Sequence, residues 1–160
     1  MARIRAGLKL AIIYFVLTFR NRFFLWMYSR AYWLAVRAVV NRLSKIEGVQ
    51  GIYISGSSAR EEVFYGLSDI DFKVFVEGKK DVRKHDEIMA LFNRLRRFYP
   101  MLGPADEKGI YFTSDFPGEW RRYPLVRHLF HEIHFKNRRI WGEDVIPDLP
   151  EPTGLDLILS

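Results

Sequence analysis

Cysteine is missing altogether from the 160 residues. Disulfide bridges and thiolate zinc sites are thereby excluded, and the composition suits a reducing compartment, the cytoplasm. Long apolar runs are missing too. The N-terminal uncharged run Leu10–Phe19 spans ten residues, about half of the roughly 20 that a bilayer-crossing helix needs. It follows a basic start, as in a secretory signal, but leads into Arg20-Asn21-Arg22 rather than a small-residue cleavage site. Neither a transmembrane segment nor a cleaved signal is expected. Histidine is scarce. Three of the four, His128, His131 and His134, recur every third residue, without the i, i+4 pairing that holds zinc on a helix, and are read as surface or packed side chains. No internal repeat or low-complexity tract is evident.

Apolar residues, by contrast, make up 49% of the chain and aromatics 16%, enough for one well-cored domain with aromatic surface to bury. Lysine and arginine outnumber aspartate and glutamate by 25 to 19, a net charge of +6. That balance suits a polyanionic substrate, a nucleoside triphosphate or a nucleic acid, without selecting one.

The most informative stretch is Gly51–Val76, GIYISGSSAREEVFYGLSDIDFKVFV. Two β-prone runs, Ile52–Ile54 and Phe72–Val76, flank it. Between them, Gly56-Ser57-Ser58-Ala59 is a turn of small residues whose amides can approach a phosphate closely. Asp69 and Asp71 are spaced i, i+2, which in a strand puts both carboxylates on one face, about 6–7 Å apart at Cα. Paired carboxylates suit hard divalent cations, which take oxygen ligands and keep positions for water and phosphate. A phosphate-holding turn beside a magnesium-holding pair describes a phosphoryl- or nucleotidyl-transfer site.

The same residues carry a resemblance. Gly56-Ser57-Ser58-Ala59-Arg60 followed by Gly66-Leu67-Ser68-Asp69-Ile70-Asp71-Phe72 resembles the signature of the polymerase-beta-like nucleotidyltransferase superfamily, in particular its minimal and aminoglycoside-modifying branches. One departure is Glu61, where many relatives have glycine. The resemblance implies an α+β, two-layer fold: a mixed sheet with flanking helices. It implies that Asp69 and Asp71 hold Mg²⁺ (or Mn²⁺), and that Gly56, Ser57, Arg60 and Ser68 bind the nucleotide, with ATP as the expected donor. It implies a third carboxylate that completes the metal site and takes the acceptor's proton. Asp106, Glu107 and Asp115 are the candidates. Asp106, in Leu102-Gly103-Pro104-Ala105-Asp106, is favoured by its likeness to a Leu-Gly-x-x-Asp stretch. The activity implied is transfer of AMP to a hydroxyl on a protein, a small molecule or an RNA end by a two-metal mechanism. The alternative is a catalytically reduced binding module or antitoxin-type partner protein.

Around this centre the chain divides into an N-terminal helical extension (1–48), the catalytic domain (49–150) and the start of a further helix or tail (151–160). Helices are expected over 4–19 and 23–46, the second burying Ala31, Leu34, Ala35, Ala38, Val39 and Leu43, with Gly48 as its stop. They are read as packing on the sheet, a second subunit or a helical partner; a membrane-surface helix over 4–28 is the alternative. Strands are expected over 49–55 and 70–76, and a third strand or an extended loop over 109–114. Asp81 should cap a helix to Phe98 that buries Ile88, Leu91, Phe92, Leu95 and Phe98. Another helix is expected over 125–137, followed by Asn137–Asp144, which resembles a Leu-Tyr-Gly-x-Asp stretch of several nucleotidyltransferase branches.

Overall fold

The computed structural model describes residues 14, 18, 22–59, 68–103, 109–115 and 137–149. In chain order these form α1 (Arg22–Leu43), β1 (Val49–Ser55), a 3₁₀ turn (Gly56–Ser58), β2 (Asp71–Val76), α2 (Val82–Leu95), β3 (Ile110–Phe112), a second 3₁₀ turn (Thr113–Asp115) and β4 (Asn137–Gly142). The strands make one mixed sheet in the order β3-β2-β1-β4. β1 runs antiparallel to β2 and β4, while β2 and β3 are parallel. Parallel neighbours need a crossover, and α2 supplies it. The fold is α+β, as the sequence motif implied.

Local chemistry accounts for these elements. β1 and β2 concentrate β-branched and aromatic residues, which fit a pleated, buried surface. α2 starts where Asp81, in extended conformation, accepts the Arg83 amide on Oδ1 at 2.8 Å, satisfying one of the free N–H groups of the first turn. Its buried face is His85, Ile88, Phe92 and Leu95, with Leu91 half-buried.

The sheet has two unlike faces. Paired residues in a ladder share a face, and the face alternates along each strand. Ile52↔Val74 and Ile54↔Phe72 point to the layer of α1 and α2, where they join Tyr32, Ala35, Val36, Val39, Leu43, Ile88 and Leu95 in one core. Tyr53↔Lys73 and Ser55↔Asp71 point the other way. There Tyr53 meets Phe75 edge-on at 5.2 Å, and Phe75 stacks on Tyr111 at 5.3 Å. The C-terminal end of β4 is tied to this face through Tyr53. Its hydroxyl donates to Asp144 Oδ1 (2.9 Å) and accepts the amide of Val145 (2.9 Å).

Several expectations need correction or a limit. Leu34 is 58% exposed. The stripe α1 buries is Tyr32, Ala35, Val36, Val39 and Leu43, and at about 100° per residue Leu34 lies about 200° round from Tyr32. Filling the space over the sheet with a tyrosine and two valines outweighs using the alanine-rich side. Phe98 is 75% exposed because α2 ends at Leu95 and tightens into a turn, Phe98 donating its amide to the Leu95 carbonyl at 2.9 Å. Asn137 begins a strand instead of ending a helix, so β4 was not foreseen. Its two arginines mask the alternation of a half-exposed edge strand, where charge is the usual protection. The rest of that expected helix, and the expected helix over 4–19 apart from Tyr14 and Thr18, which are helical, lie outside the described residues. So do the three clustered histidines.

Two measurements follow from this packing. Ile88→Ala should cost about 2–5 kcal/mol in urea unfolding, whereas Phe98→Ser should stay within about 0.5 kcal/mol of the unsubstituted chain; equal costs would contradict the burial of the α2 face. Burial first, and then the hydrogen bond to Asp144, push the Tyr53 phenol up to about 12. A phenol raised in the folded state stabilises the fold fully below its unfolded value of about 10 and loses that contribution as pH rises through the folded value. The stability advantage over Tyr53→Phe should therefore be largest below about pH 10 and shrink between about pH 10 and 12. Urea midpoints across that window check it, and a constant advantage would contradict it.

Candidate functional site

The site is built where β1 ends and β2 begins. Ser55, the last residue of β1, is the Cα partner of Asp71, the first of β2. Gly56 follows directly, at φ +66, a left-handed conformation that glycine adopts without steric cost. It turns the chain into the Gly56–Ser58 turn instead of letting β1 run on. A Cβ placed on Gly56 would lie 3.7 Å from Asp71 Oδ2. The small-residue bend and the second aspartate are thus in contact range.

A second wall comes from the segment after α2. Ile70 donates its amide to the Met101 carbonyl (2.8 Å), and Gly103 donates to the Ile70 carbonyl (3.1 Å), so Leu102 bridges Ile70 in parallel. This sets Gly103 against both acids. A Cβ there would fall 2.7 Å from Asp71 Oδ1 and 3.9 Å from Asp69 Cβ. Asp69 and Asp71 therefore flank one point in space, on the sheet face that points away from α1 and α2. Asp71 is exposed; Ser57, Ser68 and Asp69 are half-buried.

Lys73, the next residue along this face, is 95% buried, given a relative exposure of 5%, with its ammonium 5.6 Å from the Tyr111 ring centroid. A cation can be carried in an interior only where charges or ring faces compensate it. Sequence reading took Lys73 as part of an apolar strand and missed this buried charge two residues from Asp71. Its signal was the lone cation in an otherwise apolar run. Gly103 stands in the sequence only as part of the Leu-Gly-x-x-Asp stretch; its role as a wall of the site depends on the parallel pairing and was not legible.

The remaining nominated residues separate clearly. Asp115 is not part of this cluster. It sits past the C-terminal end of β3 and accepts the Lys80 amide on Oδ2 at 2.7 Å, beyond the far end of β2, a strand length or about 17 Å from Asp71. Parallel pairing of β2 with β3 sends any residue after β3 to that far end. Arg60, Asp106 and Glu107 lie outside the described residues. Among the described residues, no group of three histidine, aspartate or glutamate side chains is placed to hold a metal ion; the two carboxylates of Asp69 and Asp71, oxygen donors sharing one side, fit a hard divalent cation as a pair.

Residues 36–117 match the family described as the nucleotidyltransferase domain, 82 of the 160 residues. No curated protein matches the sequence. Among solved structures, the chain is similar to a toxin-antitoxin structure with AMP-PNP, at 18% identity over 72% of this chain and 77% of that one, with a TM-score of 0.43. It is also similar to spectinomycin adenyltransferase AAD(9) from Enterococcus faecialis with ATP and spectinomycin, at 20% identity over 77% of this chain, with a TM-score of 0.45. The chain spans 60% of that adenyltransferase. The matched region takes in the last two turns of α1, both strands that meet at Ser55 and Asp71, the Gly56 bend, α2 and β3. On the strength of that match, the chain belongs to the nucleotidyltransferase-domain family.

Proposed function

We propose that the protein transfers a nucleoside monophosphate from a nucleoside triphosphate to a hydroxyl acceptor, with ATP as the donor that the resemblance to the aminoglycoside-modifying branch implies. The observation that carries this reading is the approach of the Gly56 bend to Asp71, and of Gly103 to both Asp71 and Asp69. In the proposed mechanism Asp69 and Asp71 hold a divalent cation, Mg²⁺ or Mn²⁺. A metal pair held at this site would supply stabilisation of charge on the entering and leaving oxygens of an in-line, two-metal displacement.

The chain's own groups do the rest. The amides of the Gly56–Ser58 turn and the Ser57 hydroxyl bind the β- and γ-phosphates, and Ser68 and Arg60 add a hydroxyl and a positive charge to the nucleotide's surroundings. The acceptor oxygen bonds to the α-phosphorus as pyrophosphate departs, and its proton passes to a carboxylate, for which we nominate Asp106. Asp106 follows Gly103 by three residues, so covalent reach keeps its Cα within about 11 Å of Gly103; Asp115 has no such tether. The acceptor is a hydroxyl on a protein, a small molecule or an RNA end, and labelling distinguishes these.

The direct test incubates the protein with each of the four α-labelled triphosphates and Mg²⁺, with and without cell extract, and follows where label is retained. ATP should give a labelled product. Asp69→Asn and Asp71→Asn should each lower its formation roughly 100-fold or more with an unaltered circular dichroism spectrum. Unchanged labelling in both variants would refute their role. Absence of product with every triphosphate would favour the reading as a non-catalytic module or antitoxin-type partner. A second prediction comes from the wall of the site. In Gly103→Ala the new Cβ meets the end of the Asp71 side chain, which can swing aside, so stability should change by only about 1 kcal/mol while Mn²⁺ affinity and transfer both fall. Retention of full Mn²⁺ affinity would contradict the placement of Gly103 against the acids.

A further inference from the structure

α1 carries two opposite stripes. The buried stripe lies wholly between Tyr32 and Leu43. On the other side, Phe23, Trp26, Met27, Arg30, Leu34 and Arg37 follow one another at i, i+3, i+4, i+7, i+11 and i+14, and all six are exposed. At about 100° per residue they fall in one sector, about 180° from the buried stripe. Phe23 is 63% and Trp26 56% exposed. Their rings stack on each other at 6.3 Å, and the Arg30 guanidinium lies over the Trp26 ring at 5.4 Å. Surface apolar residues scattered singly need no explanation; a continuous aromatic and aliphatic stripe edged by arginine does.

Charge is segregated along the same line. Residues 1–46 hold nine of the 25 basic residues and none of the 19 acidic ones, so the remaining residues carry 16 basic against 19 acidic. Residues 1–46 are therefore +9 and the rest of the chain −3. A stripe of this kind facing a second copy of itself would bring like charges together. Against a phosphodiester strand, Met27 and Leu34 would gain nothing. An anionic lipid surface satisfies both components: rings and aliphatic side chains enter the headgroup–acyl boundary, and the arginines meet lipid phosphates and carboxylates.

We propose that the outward stripe of α1 docks the protein on an anionic lipid surface. The helix lies along the surface and does not cross it; among the described residues no helix is long and apolar enough to do so. Since α1 packs on one face of the sheet and Asp69 and Asp71 open on the other, the candidate site faces away from the lipid. Docking and nucleotide chemistry are then separable.

The test is cosedimentation of the full chain with vesicles of phosphatidylcholine alone and of phosphatidylcholine with about 30% phosphatidylserine, at low salt and at about 0.5 M salt. Binding to the anionic vesicles should exceed binding to the neutral ones at least about tenfold and collapse at high salt. Phe23→Ser/Trp26→Ser and Arg30→Glu/Arg37→Glu should each weaken it about tenfold, with unaltered circular dichroism and unaltered Mn²⁺ binding. Equal partition onto both vesicle types, or wild-type binding by both double variants, overturns the proposal. So does an absence of vesicle binding accompanied by dimers in light scattering that Phe23→Ser/Trp26→Ser abolishes, which would assign the stripe to a second copy.

Discussion

The register of β1 against β2 is the constraint on which the candidate site depends. Pairing Ser55 with Asp71 puts the residue after Ser55 beside the carboxylate that opens β2. Because side chains alternate along a strand, a slip of one residue would turn Asp69 and Asp71 into the helix-packed core and expose Phe72 and Val74. The core prevents that slip. Ile52, Ile54, Val74 and Val76 are fully buried under α1 and α2, and burying a charged pair in their place would be prohibitive. Hydrophobic packing on one face thereby fixes the chemistry displayed on the other.

The second face is not simply solvent. An aromatic row, Tyr53, Phe75 and Tyr111, crosses three strands, and Tyr53 is locked by a donated and an accepted hydrogen bond to the chain after β4. Lys73 lies between this row and Asp71, buried and facing the Tyr111 ring. The face thus grades along β2 from an apolar floor to a buried cation to exposed acid, without leaving the strand.

α1 serves two environments with one helix. From Tyr32 onward it supplies Tyr32, Val36, Val39 and Leu43 to the sheet's core, while residues 22–31 contribute no buried residue. A 22-residue helix is about 33 Å long, whereas the longest strand, β1, has seven residues and spans about 23 Å. The helix thus exceeds the strand it packs on, and the aromatic side chains Phe23 and Trp26 of its first turns lie at the surface.

Much of the centre was legible in the chain itself. β1, β2 and the Asp81 cap follow from short-range patterns: β-branched runs, small-residue turns and a polar side chain ahead of an amphipathic segment, all of which act within a few residues. The motif from Gly56 to Asp71 likewise carried the family, because metal and phosphate chemistry demands those residue types at that spacing. Other features required the third dimension. Which side of α1 is buried depended on the shape of the sheet, and Leu34 went outward although its spacing alone allowed either side. β4 could not be read from Asn137–Gly142, since an edge strand is defined by the neighbour it pairs with and its arginines hide the alternation. Asp115 and Gly103 exchanged importance for the same reason: parallel pairing carries the chain after β3 to the far end of β2 and brings the chain after α2 to the near end. Sequence determined the groups and the local turns. Only the pairing of distant strands decided which of those groups share a site.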